Sequence, residues 1–140
     1  AFTLLAGPTL AQVPAPTLKS VPFITSGLNQ PVQLKSLPGD DRMFIVEKTG
    51  RIRLYQNGSL QATPFLNLSN SVITDSERGL LGMAFDPDFA TNGHVYVDFT
   101  GNNQNASAGY STGTSFDRRY TVSASNPNVL DTSTARDVII

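Results

Sequence analysis

The 140-residue sequence contains no cysteine and no tryptophan. Without cysteine there is no disulfide, no thiolate metal ligand and no thiol nucleophile. Charge is sparse and balanced: ten Lys and Arg face eleven Asp and Glu, for a net charge of −1. No basic excess attracts a phosphate backbone, so nucleic acid is not an expected partner. No apolar run approaches the roughly 20 residues that a membrane-spanning helix needs. Histidine occurs once, at His94. A phosphate-binding loop, a Ser-His-Asp arrangement and a His-Glu-x-x-His motif are all missing, and helical periodicity is nearly so. What remains is a chain with 39% hydrophobic residues, enough for one ordinary domain with a core.

The first residues read differently from the rest. Residues 1–12 (AFTLLAGPTLAQ) resemble the tail of an export signal, an apolar stretch running into small residues with cleavage expected after Ala11. Pro14 and Pro16 then fix an extended linker, because proline sets its own φ and disfavours helix before it. Residues 1–20 are therefore expected to be a signal remnant and linker, with 21–140 as the folded part of a periplasmic or secreted protein.

From residue 21 the pattern is strand and turn, predicting an all-β fold. Strands are expected over 31–37, 42–47, 51–55 and 64–68, punctuated by Pro38-Gly39-Asp40-Asp41, Lys48-Thr49-Gly50 and Asn57-Gly58. Arg51 and Arg53 alternate with Ile52 and Leu54, which predicts an exposed face. A second group repeats the plan with strands over 79–85, 94–100, 116–123 and 137–140, and a turn around Asn126-Pro127-Asn128. "LKSLPGDDRMFIVE" parallels "GMAFDPDFATNGHVYVDFT", each an apolar strand, a turn rich in Pro and Asp, and a second apolar strand. Two such units are predicted to be antiparallel four-stranded blades of a β-propeller. A ring needs about four to eight blades, so the chain is read as the N-terminal part of a larger propeller.

The stretch DSERGLLGMAFDPDF, residues 75–89, organises this reading. It turns abruptly from charged to apolar, and 80–85 has the length of one fully buried strand. Gly79 and Gly82 are expected where another backbone or a ligand comes close. With a charged pair, Glu77 and Arg78, at its mouth, such a strand suits the inner wall of a closed ring.

Three segments, "GLNQPVQLKSLPGDDRMFIVEKTGRIRLYQNG", "ERGLLGMAFDPDFATNGHVYVDFT" and "RRYTVSASNPNVLD", resemble the opening of the glucose/sorbosone dehydrogenase family. The resemblance runs from about Leu28 to the end. It implies a six-bladed propeller and oxidation of an aldose at its anomeric carbon. In that family pyrroloquinoline quinone accepts the hydride, a His is the general base, and calcium binds and polarises the quinone. Only Glu77, just before Gly-Leu-Leu-Gly, matches a cofactor-facing position here. The family's catalytic His-x-x-Gly segment and its remaining cofactor contacts correspond to positions beyond Ile140. The 140 residues alone are thus expected to be inert and to bind no cofactor, with the remaining blades as partners and an aldose as the substrate of the whole.

Each candidate also has a plain structural reading. Glu77 would pair with Arg78 or another cation, and Arg78 would be a solvated charge. His94 starts a strand and alternates away from Val95 and Val97, which suits a structural role. Asp86 and Asp88 are too few for calcium and suit a turn. Arg118 and Arg119 suit inter-strand ion pairs. The sequons at Asn57, Asn67 and Asn105 arise easily in a chain rich in Asn and Ser. The rival functional reading is a non-catalytic extracellular propeller module that binds protein or glycan.

Overall fold

A computed structural model of the chain describes residues 17–102 and 109–140. The export-signal reading of residues 1–12 and the sequon at Asn105 lie outside the described residues. Two antiparallel sheets follow one another along the chain. The first comprises β1 (Pro31–Ser36), β2 (Met43–Glu47), β3 (Arg51–Gln56), β4 (Ser59–Leu60) and β5 (Leu66–Asn67). The second comprises β6 (Leu80–Phe85), β7 (His94–Thr100), β8 (Ser115–Ser123) and β9 (Asn126–Ile139). Each is a meander that starts at its own free edge, and their face-to-face succession is the arrangement of propeller blades.

Turn chemistry sets the registers. Asn57 and Gly58 both have positive φ, at 53° and 77°, and close the β3–β4 hairpin tightly. In the two equivalent hairpins an aspartate folds the turn onto itself. Asp40 Oδ1 accepts the Arg42 N–H at 2.9 Å, and Asp86 Oδ1 accepts the Asp88 N–H at 3.0 Å. The parallel between the two sequence segments is therefore a parallel between two turns. A single helical turn, Phe89–Asn92, follows Asp86 and ends at Gly93 with φ 65°.

The core lies between the sheets. Phe44 and Val46 of β2 and Ile52 and Leu54 of β3 form one wall, Met83, Val95, Val97 and Phe99 the other. Phe44 meets Phe65 and Phe85 edge-on at ring separations of 4.7 and 5.0 Å, which locks the sheets in one relative position. Arg118 spans the other end, its guanidinium 5.2 Å from the Phe99 ring and its Nε 2.5 Å from Asp137 Oδ1 across β8–β9.

Five expectations are corrected. The fourth strand of the first sheet is not 64–68 alone: β4 pairs one end of β3 and β5 the other, because the tight hairpin returns the chain at once. β9 begins at Asn126 rather than 137, with the turn at residues 124–125, so Asn126 pairs Ser123. Arg51 and Arg53 do not form an exposed face. Residues 23–30 cross over them: Phe23 packs on Tyr55 at 5.1 Å, and the Gly27 carbonyl accepts from Arg53 Nη1 at 2.9 Å. Strand 80–85 is not fully buried, since a bulge after Leu80 turns Leu81 outward to 40% exposure. Finally, nothing stands within 4 Å of a side chain added at Gly82, so only Gly79 marks a close approach.

Candidate functional site: the mouth of the β6 strand

Glu77 sits in a tight turn directly ahead of β6. The Arg78 N–H donates to the Asp75 carbonyl at 3.0 Å, and Arg78 Nη2 meets Asp75 Oδ2 at 2.6 Å. Arg78 therefore pairs with Asp75 and not with Glu77. Ser76 takes a left-handed φ of 49°, which turns the chain sharply just before Glu77. The Glu77 side chain is exposed, and among the described residues it has no hydrogen-bond or ion-pair partner.

The turn is held from below by Lys48, in the loop between β2 and β3. Lys48 Nζ donates to the Ser76 carbonyl. Its own backbone is fixed on both sides: Lys48 N–H donates to Gln30 O at 2.9 Å, and Lys48 O accepts the Leu80 N–H at 3.0 Å. Gly79 makes this possible. A Cβ there would stand 2.5 Å from Lys48 Cγ and 2.6 Å from Lys48 O. Next to Lys48, Thr49 Oγ1 is buried without a partner among the described residues.

β6 and β1 are the free first strands of their sheets, and they adjoin. Gln33 Oε1 of β1 accepts the Met83 N–H of β6 at 2.8 Å. The Gly-Leu-Leu-Gly segment thus lies at the edge where the two sheets begin, with Glu77 at its open end.

The other candidate residues are elsewhere. His94 and Asp86 lie at the far end of β6; at about 3.3 Å per residue its length is roughly 20 Å. There Asp86 is the hub of a turn. Asn92 Nδ2 donates to it at 2.9 Å and the Tyr96 hydroxyl at 2.9 Å, and His94 Nδ1 is 3.9 Å away. The Asn92 and Asp88 hydrogen bonds favour the charged form and hold the Asp86 carboxyl below its ordinary pKa. A groove of about 790 Å³ lies at this end, between Leu37, Pro38, Arg42, Phe89, Val122 and Pro127. The fold does not bring His94 to Glu77, and its nearest carboxylate is occupied by the turn.

Sequence reasoning missed Lys48 and Glu47. Glu47 is fully buried, accepting from the Asn29 N–H at 2.7 Å and Arg51 Nε at 2.9 Å, with Arg53 Nη1 at 3.8 Å. A lone Glu ending an apolar strand, opposite two alternating arginines, was the available signal. Among the described residues no three His, Asp or Glu side chains converge to hold a metal ion.

Residues 28–130 match the family Glucose / Sorbosone dehydrogenase. The chain is 38% identical over 119 residues to the Hedgehog-interacting protein of Homo sapiens, covering 81% of this chain and 17% of that protein. The PQQ-bound aldose sugar dehydrogenase of Streptomyces coelicolor has the same fold, with a TM-score of 0.63 at 24% identity over 86% of this chain and 33% of that one. A glucose dehydrogenase-type oxidoreductase of Thermus thermophilus is 32% identical, with a TM-score of 0.60, over 81% of this chain and 31% of that one. The chain thus spans about a sixth of the first relative and about a third of the solved structures. With the match covering most of its length, from the first strand through the β8–β9 hairpin, the chain belongs to the glucose/sorbosone dehydrogenase family.

Proposed function

We propose that these residues form the opening blades of an exported quinoprotein that oxidises aldose sugars at the anomeric carbon. The observation that carries the reading is Glu77: an exposed, unpartnered carboxylate on a fixed turn beside the edge where both sheets begin. An exposed acceptor (Glu77) at the strand mouth, on a turn held by the Lys48 ammonium, fits a polar ring bearing an N–H. When bound, pyrroloquinoline quinone supplies the hydride acceptor. Glu77 would accept a hydrogen bond from it and help to orient it. Calcium and the general base belong to other parts of the protein in this reading, since His94 is turned to Asp86.

The test is direct titration of the full-length apoprotein with pyrroloquinoline quinone and calcium, followed by a dye-linked assay with glucose and other aldoses. Saturable quinone binding, weakened about tenfold by Glu77→Ala, is expected, a loss on the scale of one charge-assisted hydrogen bond. Absence of quinone binding would refute the reading.

A second reading has one specific observation behind it. Identity to the Hedgehog-interacting protein, 38%, exceeds the 32% and 24% to the two dehydrogenases. On that reading the blades are an extracellular interaction module, and the full-length protein binds no quinone.

A further inference from the structure

We infer that Lys48 is a positioning residue for the ligand contact made by Glu77, an inference that rests on the quinone reading above. A ligand-binding side chain must be free itself while its backbone is held. Glu77 meets both conditions, and Lys48 supplies half of the hold. On the far side of Glu77, Arg78 is fixed through Asp75 by a backbone and a side-chain bond. On the near side, the Ser76 carbonyl is fixed by the Lys48 ammonium.

Lys48 is placed to do this by three features. Its backbone bonds to Gln30 and Leu80 join the starts of β1 and β6, so the root of the side chain is fixed to both sheets. Gly79 leaves the space through which the Lys48 stem passes. The ammonium forms no ion pair among the described residues, so the Ser76 carbonyl is not competing with a carboxylate for it. Ser76 itself is in a left-handed conformation that a non-glycine residue adopts only when held. Releasing its carbonyl frees the turn to relax, and Glu77 with it.

The experiment is quinone titration of the full-length apoprotein, read by fluorescence, with melting temperatures measured on the same samples. Lys48→Met keeps the stem against Gly79 and removes the donor. It is expected to weaken quinone binding about as much as Glu77→Ala, by about tenfold. The double variant is expected to bind no more weakly than Glu77→Ala alone, because the two residues act through one contact. Lys48→Arg keeps a cationic donor and is expected to retain affinity within about twofold. Gln33→Leu loosens β6 without touching the turn, so it should lower the melting temperature and leave affinity unchanged. If Lys48→Met does not fold, Lys48→Gln, too short to reach the Ser76 carbonyl, takes its place.

Wild-type affinity in Lys48→Met alongside weakened Glu77→Ala would overturn the inference and leave the quinone reading standing. So would full additivity in the double variant. Unweakened binding by Glu77→Ala would instead remove the contact that Lys48 is inferred to position.

Discussion

Gln33 reaches from the free edge of β1 to the free edge of β6 and accepts the Met83 N–H at 2.8 Å. A first strand has an unpaired row of backbone groups, and here one of them is satisfied by a side chain of the preceding sheet. The bond fixes the height of β6 relative to β1 at Met83, midway along the strand and six residues past Glu77.

Replacing Gln33 by Leu should leave that N–H without a partner in a half-buried setting. The expected loss is about 1–2 kcal/mol. Urea unfolding of the full-length protein would show a lower midpoint with an unchanged slope.

Gly79→Ala is expected to be much more damaging than its size suggests. The new methyl group meets the Lys48 carbonyl, 2.6 Å away, and that oxygen already receives the Leu80 N–H. Backbone must shift, at about 2–3 kcal/mol. Gly82→Ala, with nothing within 4 Å, is the control and should fall within about 0.5 kcal/mol of wild type. Thermal unfolding of the two variants side by side makes the comparison.

Glu47→Ala removes the buried carboxylate under residues 23–30. It leaves Arg53, 14% exposed, without its charge partner and the Asn29 N–H without an acceptor. A loss of about 3–5 kcal/mol is expected, as for other broken buried pairs. Proteolysis should then begin within residues 23–30, at Phe23 or Leu28, which limited chymotrypsin digestion would detect by N-terminal sequencing.

Asp98 gives a pH dependence of defined sign. Burial and the facing Asp117 raise its pKa above 3.8 in the fold. The contribution of this group is favourable below the unfolded value and is lost as pH rises through the folded one. Asp98→Asn should therefore raise the melting temperature at pH 7 and change little at pH 3. Because solvent screens the pair, the gain is a fraction of about 1 kcal/mol.

Asp86 should behave oppositely. Its pKa is lowered by hydrogen bonds from Asn92, the Asp88 N–H and Tyr96, so its contribution is present above 3.8 and lost as pH falls through the folded value. Asp86→Asn should lower the melting temperature at pH 7 and flatten the acid limb of the wild-type pH profile. A melting series from pH 2 to pH 7 in both proteins would reveal a persisting limb if the turn carbonyls, rather than the carboxylate, carried the stability.

Much of the strand plan was legible from residue order. Period-2 alternation in HVYVDFT, the Asn57-Gly58 pair and the repeated Asp-containing turns are local signals, and local sterics suffice to read them. The β9 boundary was misread because Asn126-Pro127-Asn128 carries turn residues. Yet Asn126 pairs Ser123, and Arg42 donates to the Pro127 carbonyl at 2.8 Å from the other sheet. A cross-sheet donor overrode local preference.

Arg51 and Arg53 show the same limit on the charged side. Alternation correctly puts them on the face opposite Ile52 and Leu54, but which face meets solvent depends on where residues 23–30 run. Glu77 is singled out as a candidate by its neighbours in sequence, whereas Lys48 lies 29 positions earlier and meets that turn only through the close approach at Gly79.

Sequence alone determined the all-β class, the paired blade pattern, the family and the candidacy of Glu77, because each rests on short-range order. Tertiary structure decided which charges are buried, which glycine is crowded, and what holds the Glu77 turn. Those outcomes depend on distances between segments remote in the chain, and only the packing of the two sheets sets them.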